Sequence, residues 1–276
     1  LVLDYSEIRP AGTRLAGYGW ISSGDVQISK AYTKIAEIMN KRAGSLLTRI
    51  DILDIVNHLG TILSSRRSAE IAVFDYGAPE WKEFAVAKKN YWEFGNEHRT
   101  QSNNSLLFWQ KPSREQLEEI FDIMQDAGGS EPGLINAETA TKRAPWFKGS
   151  NPCVEILLPN KGFCNLMEVD VNKFHGDTAG LHQALRIAAR ANYRQTCVNF
   201  RDGILQESWH LNNEFLRLCG VGLTGIAGRP DLSDYDYTLM ERETTFAAFS
   251  MADELRLQRP KNVTCVKPSG SPRKLT

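Results

Sequence analysis

The sequence lacks a cysteine framework. Its five Cys fall at irregular intervals and none forms a CxxC pair. Spacing therefore excludes a disulfide-stapled secreted domain and a zinc module, and the cytosol is the expected compartment. An excess of charge of either sign is missing too. Lys plus Arg and Asp plus Glu are both 33, so no basic field exists to hold nucleic acid and no acidic tail appears. Recognition of a nucleotide would have to be local, in a pocket. Neither a signal peptide nor a membrane span is expected, since no apolar run is long enough. Internal repeats and low-complexity segments are absent. The five His (His58, His98, His175, His182, His210) show no metal-ligand spacing. His175 and His182 stand seven apart without a carboxylate pattern to complete a site. All five read as structural or surface residues, and no metal site is expected.

What is present is a chain of 276 residues, 42% of them apolar. That suffices for one large α/β core or two small ones. Leu1 to Tyr5 reads as a short strand, followed by a Gly-rich loop over 9–24. A helical stripe of Ile28, Tyr32, Ile35 and Met39 predicts a helix over 26–43. Thr48 and Asp51 fit a capping box opening a second helix, with Ile52, Ile55, Val56, Leu59 and Leu63 on one face. Ser64-Ser65-Arg66-Arg67-Ser68 leads into a strand, Ile71 to Phe74. The Arg pair suits either a phosphate or base edge or an ordinary solvated loop. Trp81, Phe84, Tyr91, Trp92 and Phe94 recur at near-helical spacing and read as core.

Arg99 to Ser105 is rich in short hydrogen-bonding side chains ahead of an apolar run, Leu106 to Trp109. It is either a solvated turn or a strand start that offers donors and acceptors to a sugar or phosphate. Ser113 and Gln116 cap a helix ending near Gly128-Gly129. A turn at Glu131-Pro132-Gly133 and a short strand, Leu134 to Asn136, follow. Beyond residue 170, helices are predicted over 179–196, 205–217 and 237–257. Strands are predicted at Gly220 to Ile226 and Asn262 to Val266. The alternation of strand and helix indicates an α/β class. The last strand runs into Lys267-Pro268-Ser269-Gly270-Ser271. Its Gly, two hydroxyls and main-chain N–H groups suit a phosphate, although such a turn is also a common connector.

The stretch that concentrates chemistry is Asn151 to Val169. It reads as a β-hairpin with Pro159-Asn160-Lys161-Gly162 at the turn. In an extended chain Asn151, Cys153 and Glu155 project from one face, and the turn returns Cys164 toward them. A carboxamide, a carboxylate and two thiols suit redox or radical chemistry on a polar substrate. Cysteine is also a common core residue, and an acidic neighbour in a core is costly unless paired. Spacing alone leaves packing and chemistry both open. The chain begins Leu1-Val2-Leu3-Asp4 and stops at Thr276, soon after a turn that should lead into a helix. A piece of a longer protein is expected.

Asn151-Pro152-Cys153-x-Glu155, then Cys164-Asn165-Leu166-x-Glu168-Val169, resembles the finger loop and following strand of ribonucleotide reductases. Other matches occur in the family's order. Arg66-Arg67-Ser68-Ala69-Glu70-Ile71-Ala72 resembles the segment carrying the specificity loop. His98-Arg99 with Ser102-Asn103-Asn104-Ser105 resembles a substrate-site strand. Glu131-Pro132-Gly133 with Asn136 fits the next connection, and Val266 to Gly270 resembles the substrate-phosphate turn. Together they are most similar to the monomeric, adenosylcobalamin-dependent class II ribonucleoside-triphosphate reductases.

The resemblance implies an α/β fold, a ten-stranded barrel of the ribonucleotide reductase and glycyl-radical type with a central finger loop. Residues 1–276 would form one partial barrel domain, its N- and C-terminal portions missing. It implies Cys153 as the thiyl-radical site that takes the substrate's 3′-hydrogen. Glu155 would accept the 3′-hydroxyl proton. Asn151 would hydrogen-bond the ribose hydroxyls, and Cys164 would be one of two thiols reducing the 2′-position. Ser102, Asn103, Asn104, Pro268, Ser269, Gly270 and Ser271 would bind substrate; Arg66, Arg67 and Ser68 would belong to the specificity loop. Adenosylcobalamin is the implied cofactor. The implied partners are a ribonucleoside triphosphate, a dNTP effector and a thioredoxin-like or dithiol reductant, with the full-length enzyme a monomer.

The departures are specific. Val154 stands where the family usually has Gly, which crowds or stiffens the finger tip, and Ser271 replaces a common Thr. The partner of Cys164 should lie in an N-terminal strand outside this sequence; Cys197, Cys219 and Cys265 do not match it. Cys153 and Cys164 are not expected to form a mutual redox pair. The 276 residues alone are expected not to turn over. The alternative is a non-catalytic nucleotide-binding piece or split subunit that needs a partner chain. A Cys hydrolase using Cys153 lacks a recognisable His partner.

Overall fold

A computed structural model describes residues 2–15, 21–62, 70–201 and 203–267. The chain divides into two compact units, Leu1–Arg143 and Ala144–Thr276.

In the first unit, α1 (Gly24–Lys41) is followed by α2 (Arg49–Gly60). The capping box forms as predicted: Thr48 Oγ accepts from the Asp51 N–H, and Asp51 Oδ2 accepts from the Thr48 N–H at 2.8 Å. Such reciprocal satisfaction of end donors is worth about 1 kcal/mol. The buried stripe of α2 is not the predicted one. Ile50, Leu53, Asn57 and Gly60 are buried, while Ile52, Val56 and Leu59 are exposed. The apolar run fits either face by spacing, and packing selects the other.

Strands β1 (Glu70–Asp75), β2 (Ser102–Phe108) and β3 (Gly133–Asn136) form a parallel sheet in that order. Glu70 pairs with Ser102, and Ser105 with Gly133. The buried run Ser105 to Phe108 matches a central parallel strand covered on both faces. Between β1 and β2 lie a short helix, α3 (Trp81–Ala85), and a 3-10 turn, Glu97–Gln101. The predicted helical spacing over 79–95 fails beyond α3: the chain breaks into turns, with Asn90 at φ 47° and Gly95 at φ 67°. Phe74, Phe84, Leu106, Phe108 and Ile120 of α4 (Arg114–Ala127) form the core here. Each such side chain contributes about 1.5–3 kcal/mol by leaving water. Helix α4 carries the predicted Ser113/Gln116 box and ends at Gly128, φ 67°. Helix α5 (Ala137–Arg143) closes the unit.

The second unit opens with two short antiparallel strands, β4 (Gly149–Ser150) and β5 (Leu157–Leu158). Strand β6 (Asn165–Asp170) pairs in parallel with β7 (Cys219–Thr224), Leu166 opposite Gly220. Helices α6 (Thr178–Gln195), α7 (Glu207–Leu216) and α8 (Asp234–Leu255) complete the unit. Leu181, Leu185, Ala188 and Ala189 of α6 pack with Met240, Ala247 and Ala248 of α8, on Val169 and Val221. The predicted strand Asn262 to Val266 is reduced to one parallel bridge, Thr264 to Val221. Two flanking bonds support it, Val221 N–H to the Val263 carbonyl and Cys265 N–H to the Val221 carbonyl.

The class is α/β with parallel sheets, as predicted. Among the described residues the strands form three separate sheets and no closed barrel. Val2 to Asp4 form no strand. Arg66, Arg67 and Ser68 lie outside the described residues, as do Pro268, Ser269, Gly270 and Ser271.

Candidate active site

The predicted hairpin over Asn151 to Val169 is replaced by a tighter one. The chain reverses between β4 and β5, so Asn151 to Ile156 form the loop and not a strand. Asn151, Cys153 and Glu155 therefore do not alternate on an extended face. Two things override the strand pattern. The Asn151 side chain closes the loop, its Oδ1 accepting from the Ile156 N–H at 2.9 Å. The Val154 N–H donates to the Asn151 carbonyl at 2.9 Å, which bends the chain at Pro152-Cys153. The tip pays in backbone strain: Val154, a β-branched residue, sits at φ 64°, a region that disfavours any side chain. The expected crowding at this position thus takes the form of a left-handed residue.

The loop separates its groups by exposure. Cys153 is exposed at the tip, and Asn151 is buried. The Glu155 side chain is 0% exposed, and among the described residues neither of its oxygens accepts a hydrogen bond. The Lys267 ammonium lies 3.4 Å from Glu155 Oε1. At that length the pair is an ion pair and not a well-formed hydrogen bond.

Beneath the loop, Ile156 packs with Leu218, Leu166, Cys164 and Cys265. Burial pushes the Cys164 thiol up to about 12, and the Glu155 charge adds to the shift. Burial, with Glu155 and against Lys267, pushes Cys265 up to about 11. Both thiols thus stay protonated at neutral pH, which suits hydrogen donation better than thiolate attack. Burial opposes the charge on Lys267, but Glu155 outweighs it and holds the ammonium above its ordinary value.

Two glycines of β7 leave room for this group. A methyl on Gly220 would meet Leu166 Cδ2 at 2.5 Å, Ile156 Cδ1 at 2.8 Å and Cys265 Sγ at 3.1 Å. One on Gly222 would meet Lys267 Cβ at 2.8 Å. The sequence reading missed Cys265 and Lys267 as neighbours of Glu155. The signal was the Gly-x-Gly within β7, since paired glycines in a strand mark close approach of another chain segment.

The substrate-binding residues named on β2 sit in the first unit. Ser102 and Asn104 are buried and bond to each other, Ser102 Oγ to Asn104 Oδ1 at 2.8 Å. Asn103 is on the opposite face of the strand and half-buried. The Ser102 carbonyl accepts from Lys88 Nζ, which also pairs with Glu131 at 2.6 Å. His98 and Arg99, read as part of the same strand, lie in a 3-10 turn before it and serve a structural purpose. Arg99 donates twice to Asp54 at 2.6 and 2.7 Å and once to the Ala87 carbonyl at 2.7 Å. His98 bonds the same carboxylate at 2.9 Å and stacks on His58.

No family model matches the chain. It is 31% identical over 243 residues to an adenosylcobalamin-dependent ribonucleoside-triphosphate reductase of Lactobacillus gasseri. To the enzyme of that name from Lactobacillus leichmannii it is 30% identical over 248 residues. Each match covers 82% of this chain, and the chain spans about 31% of the length of these relatives. A crystal structure of a B12-dependent (class II) ribonucleotide reductase superposes on 98% of the chain with a TM-score of 0.78, at 24% identity and over 42% of that protein. Over most of its length, then, this chain is similar to a segment of the adenosylcobalamin-dependent ribonucleoside-triphosphate reductases and has the fold of part of a class II ribonucleotide reductase.

Proposed function

We propose that this chain is part of the catalytic barrel of a class II ribonucleotide reductase, converting ribonucleotides, as triphosphates, to 2′-deoxyribonucleotides. The observation that carries the reading is the loop between β4 and β5. It holds an exposed thiol two residues from a fully enclosed carboxylate, with a second, protonated thiol packed beneath. The similarity to reductases over 82% of the chain supports it.

The roles carried over from the resemblance are these, and the geometry is compatible with them. Cys153, exposed at the tip, takes and later returns the 3′-hydrogen; an S–H bond is close enough in strength to a ribose C–H bond for both steps. Glu155 takes the 3′-hydroxyl proton. Asn151 spends its Oδ1 on closing the loop, so its Nδ2 is the group offered to a ribose hydroxyl. Cys164 gives one of the two thiol hydrogens that reduce the 2′-position, with a second thiol completing the disulfide. When bound, adenosylcobalamin supplies the radical that starts the sequence. Among the described residues no group of three or more His, Cys, Asp or Glu could hold a metal ion. The group this chain would present to the bound cofactor's radical is the exposed Cys153 thiol. Substrate contact is assigned to Asn103 and its β2 neighbours and to Pro268–Ser271, and effector discrimination to Arg66, Arg67 and Ser68. A dNTP effector and a thioredoxin-like or dithiol reductant complete the reading, with a monomeric enzyme in the cytosol. No described helix is long and apolar enough to cross a membrane.

The test is cobalamin-dependent reduction of a ribonucleoside triphosphate by the full-length protein carrying this chain, with Cys153→Ser beside it. The substitution should abolish turnover and leave nucleotide binding. Turnover surviving in Cys153→Ser would remove the radical assignment, and turnover without cobalamin would move the protein to another reductase class. Nucleotide binding without any turnover would favour a non-catalytic binding role.

A further inference from the structure

Glu155 presents an unusual physical problem. Its side chain is 0% exposed and neither oxygen accepts a hydrogen bond among the described residues. An ionised carboxylate so enclosed is unfavourable unless a positive charge stands near it. The groups that face it come from several elements. Cys164 precedes β6, and Cys265 lies on the segment beside β7. Both thiols are protonated at neutral pH and contribute no charge. Glu168 of β6 and Cys153 of the loop act on Lys267 in the same cluster, and Glu168 adds negative charge. Among the described residues the cation within 4 Å of the carboxylate is Lys267, at 3.4 Å with its own side chain 20% exposed.

The path by which Lys267 arrives is also built. Thr264 is the bridge partner of Val221, which puts Cys265 and Lys267 over the glycine face of β7. A Cβ on Gly222 would stand 2.8 Å from Lys267 Cβ, so the absent side chain is what lets the lysine stem lie across the strand. We infer that Lys267 is a positioning residue: its ammonium, admitted by Gly222, is the counter-charge that keeps the enclosed Glu155 ionised and ready to accept a proton. The electrostatic part of this stands on the ion pair alone. Its consequence for catalysis rests on the reductase reading proposed above.

The test reads the charge of Glu155 directly. In the full chain labelled with 13C at glutamate carboxyls, the Glu155 signal is identified by its loss in Glu155→Gln and followed against pH. Lys267→Met should move its titration upward by about one pH unit or more, as expected for a buried carboxylate that loses a counter-charge. Lys267→Arg should restore it toward the original position. An unmoved titration in a folded Lys267→Met overturns the inference, above all if that variant instead binds triphosphate more weakly, which would make Lys267 a phosphate ligand. Should Lys267→Met fail to fold, Gly222→Ala displaces the lysine stem and should raise the titration in the same direction; a Gly222→Ala chain with Glu155 unmoved also overturns it. In the turnover assay, Lys267→Met should lose rate at low pH and regain it as pH rises. If the wild type shows no turnover at all, the reductase reading fails while the carboxyl titration still decides this one.

Discussion

Asp54 and Glu155 are both enclosed carboxylates, one in each unit, and they are treated in opposite ways. Asp54 accepts two bonds from Arg99 and one from His98. Burial opposes its ionisation, but these bonds outweigh burial and hold it at about 2. Glu155 is more fully enclosed, yet has one ammonium at 3.4 Å and no hydrogen bond among the described residues. A satisfied carboxylate clamps helix α2 to the chain before β2 and has no capacity left for chemistry. An unsatisfied one keeps its lone pairs for a substrate. On the reductase reading proposed above, the contrast separates a structural acid from a working one.

The comparison breaks most visibly if the two acids are neutralised in turn. Asp54→Asn leaves Arg99 charged and largely enclosed, and should lower unfolding free energy by about 3 kcal/mol. Glu155→Gln removes a charge that accepts no hydrogen bond among the described residues and leaves Lys267, which keeps some solvent, without its partner; it should cost clearly less than Asp54→Asn, about 1 kcal/mol. Equal losses in urea melts of the two variants would end the distinction.

Acid should sharpen it next. The Asp54 carboxyl is held below its unfolded value of 3.8, so its stabilisation is present above about pH 4 and lost as pH falls toward 2. That loss amounts to about 2 kcal/mol. His58 is pushed down from 6.5 to about 4 by burial and by the neighbouring His98 charge. The unfolded chain binds the proton more readily here, so stability is lost earlier, between pH 6.5 and 4. Melting temperature against pH should show both steps, and His58→Phe, which retains a ring against His98, should lack the first.

The smallest effect concerns the loop tip. Val154→Gly releases a β-branched residue from positive φ and should stabilise the chain by about 1 kcal/mol. A loss of stability in that variant would show that the Val154 side chain contributes more by packing than its backbone strain costs.

Local features were legible in the sequence. Both predicted capping boxes form, because a cap depends on residues three apart. The Ser233/Asp236 box of α8 went unread, although its spacing is the same. Strands β1 and β2 were found from their apolar runs. The loop at Cys153 was misread because alternation cannot distinguish a strand from a turn closed by a side chain. The Asn151 to Ile156 bond that decides it is made by a carboxamide, which the alternation of residue types does not register.

The sequence by itself determined the class of fold, the capped starts of α2 and α4, and the residues to which chemistry is proposed: a thiol, a carboxamide and a carboxylate within five positions. The tertiary structure decided which of them are enclosed and what stands beside them. Cys265 and Lys267 lie more than 100 positions beyond Glu155. They reach it because β7 carries glycine where any side chain would block the way. That space is a property of three segments packed together, and no one of them specifies it alone.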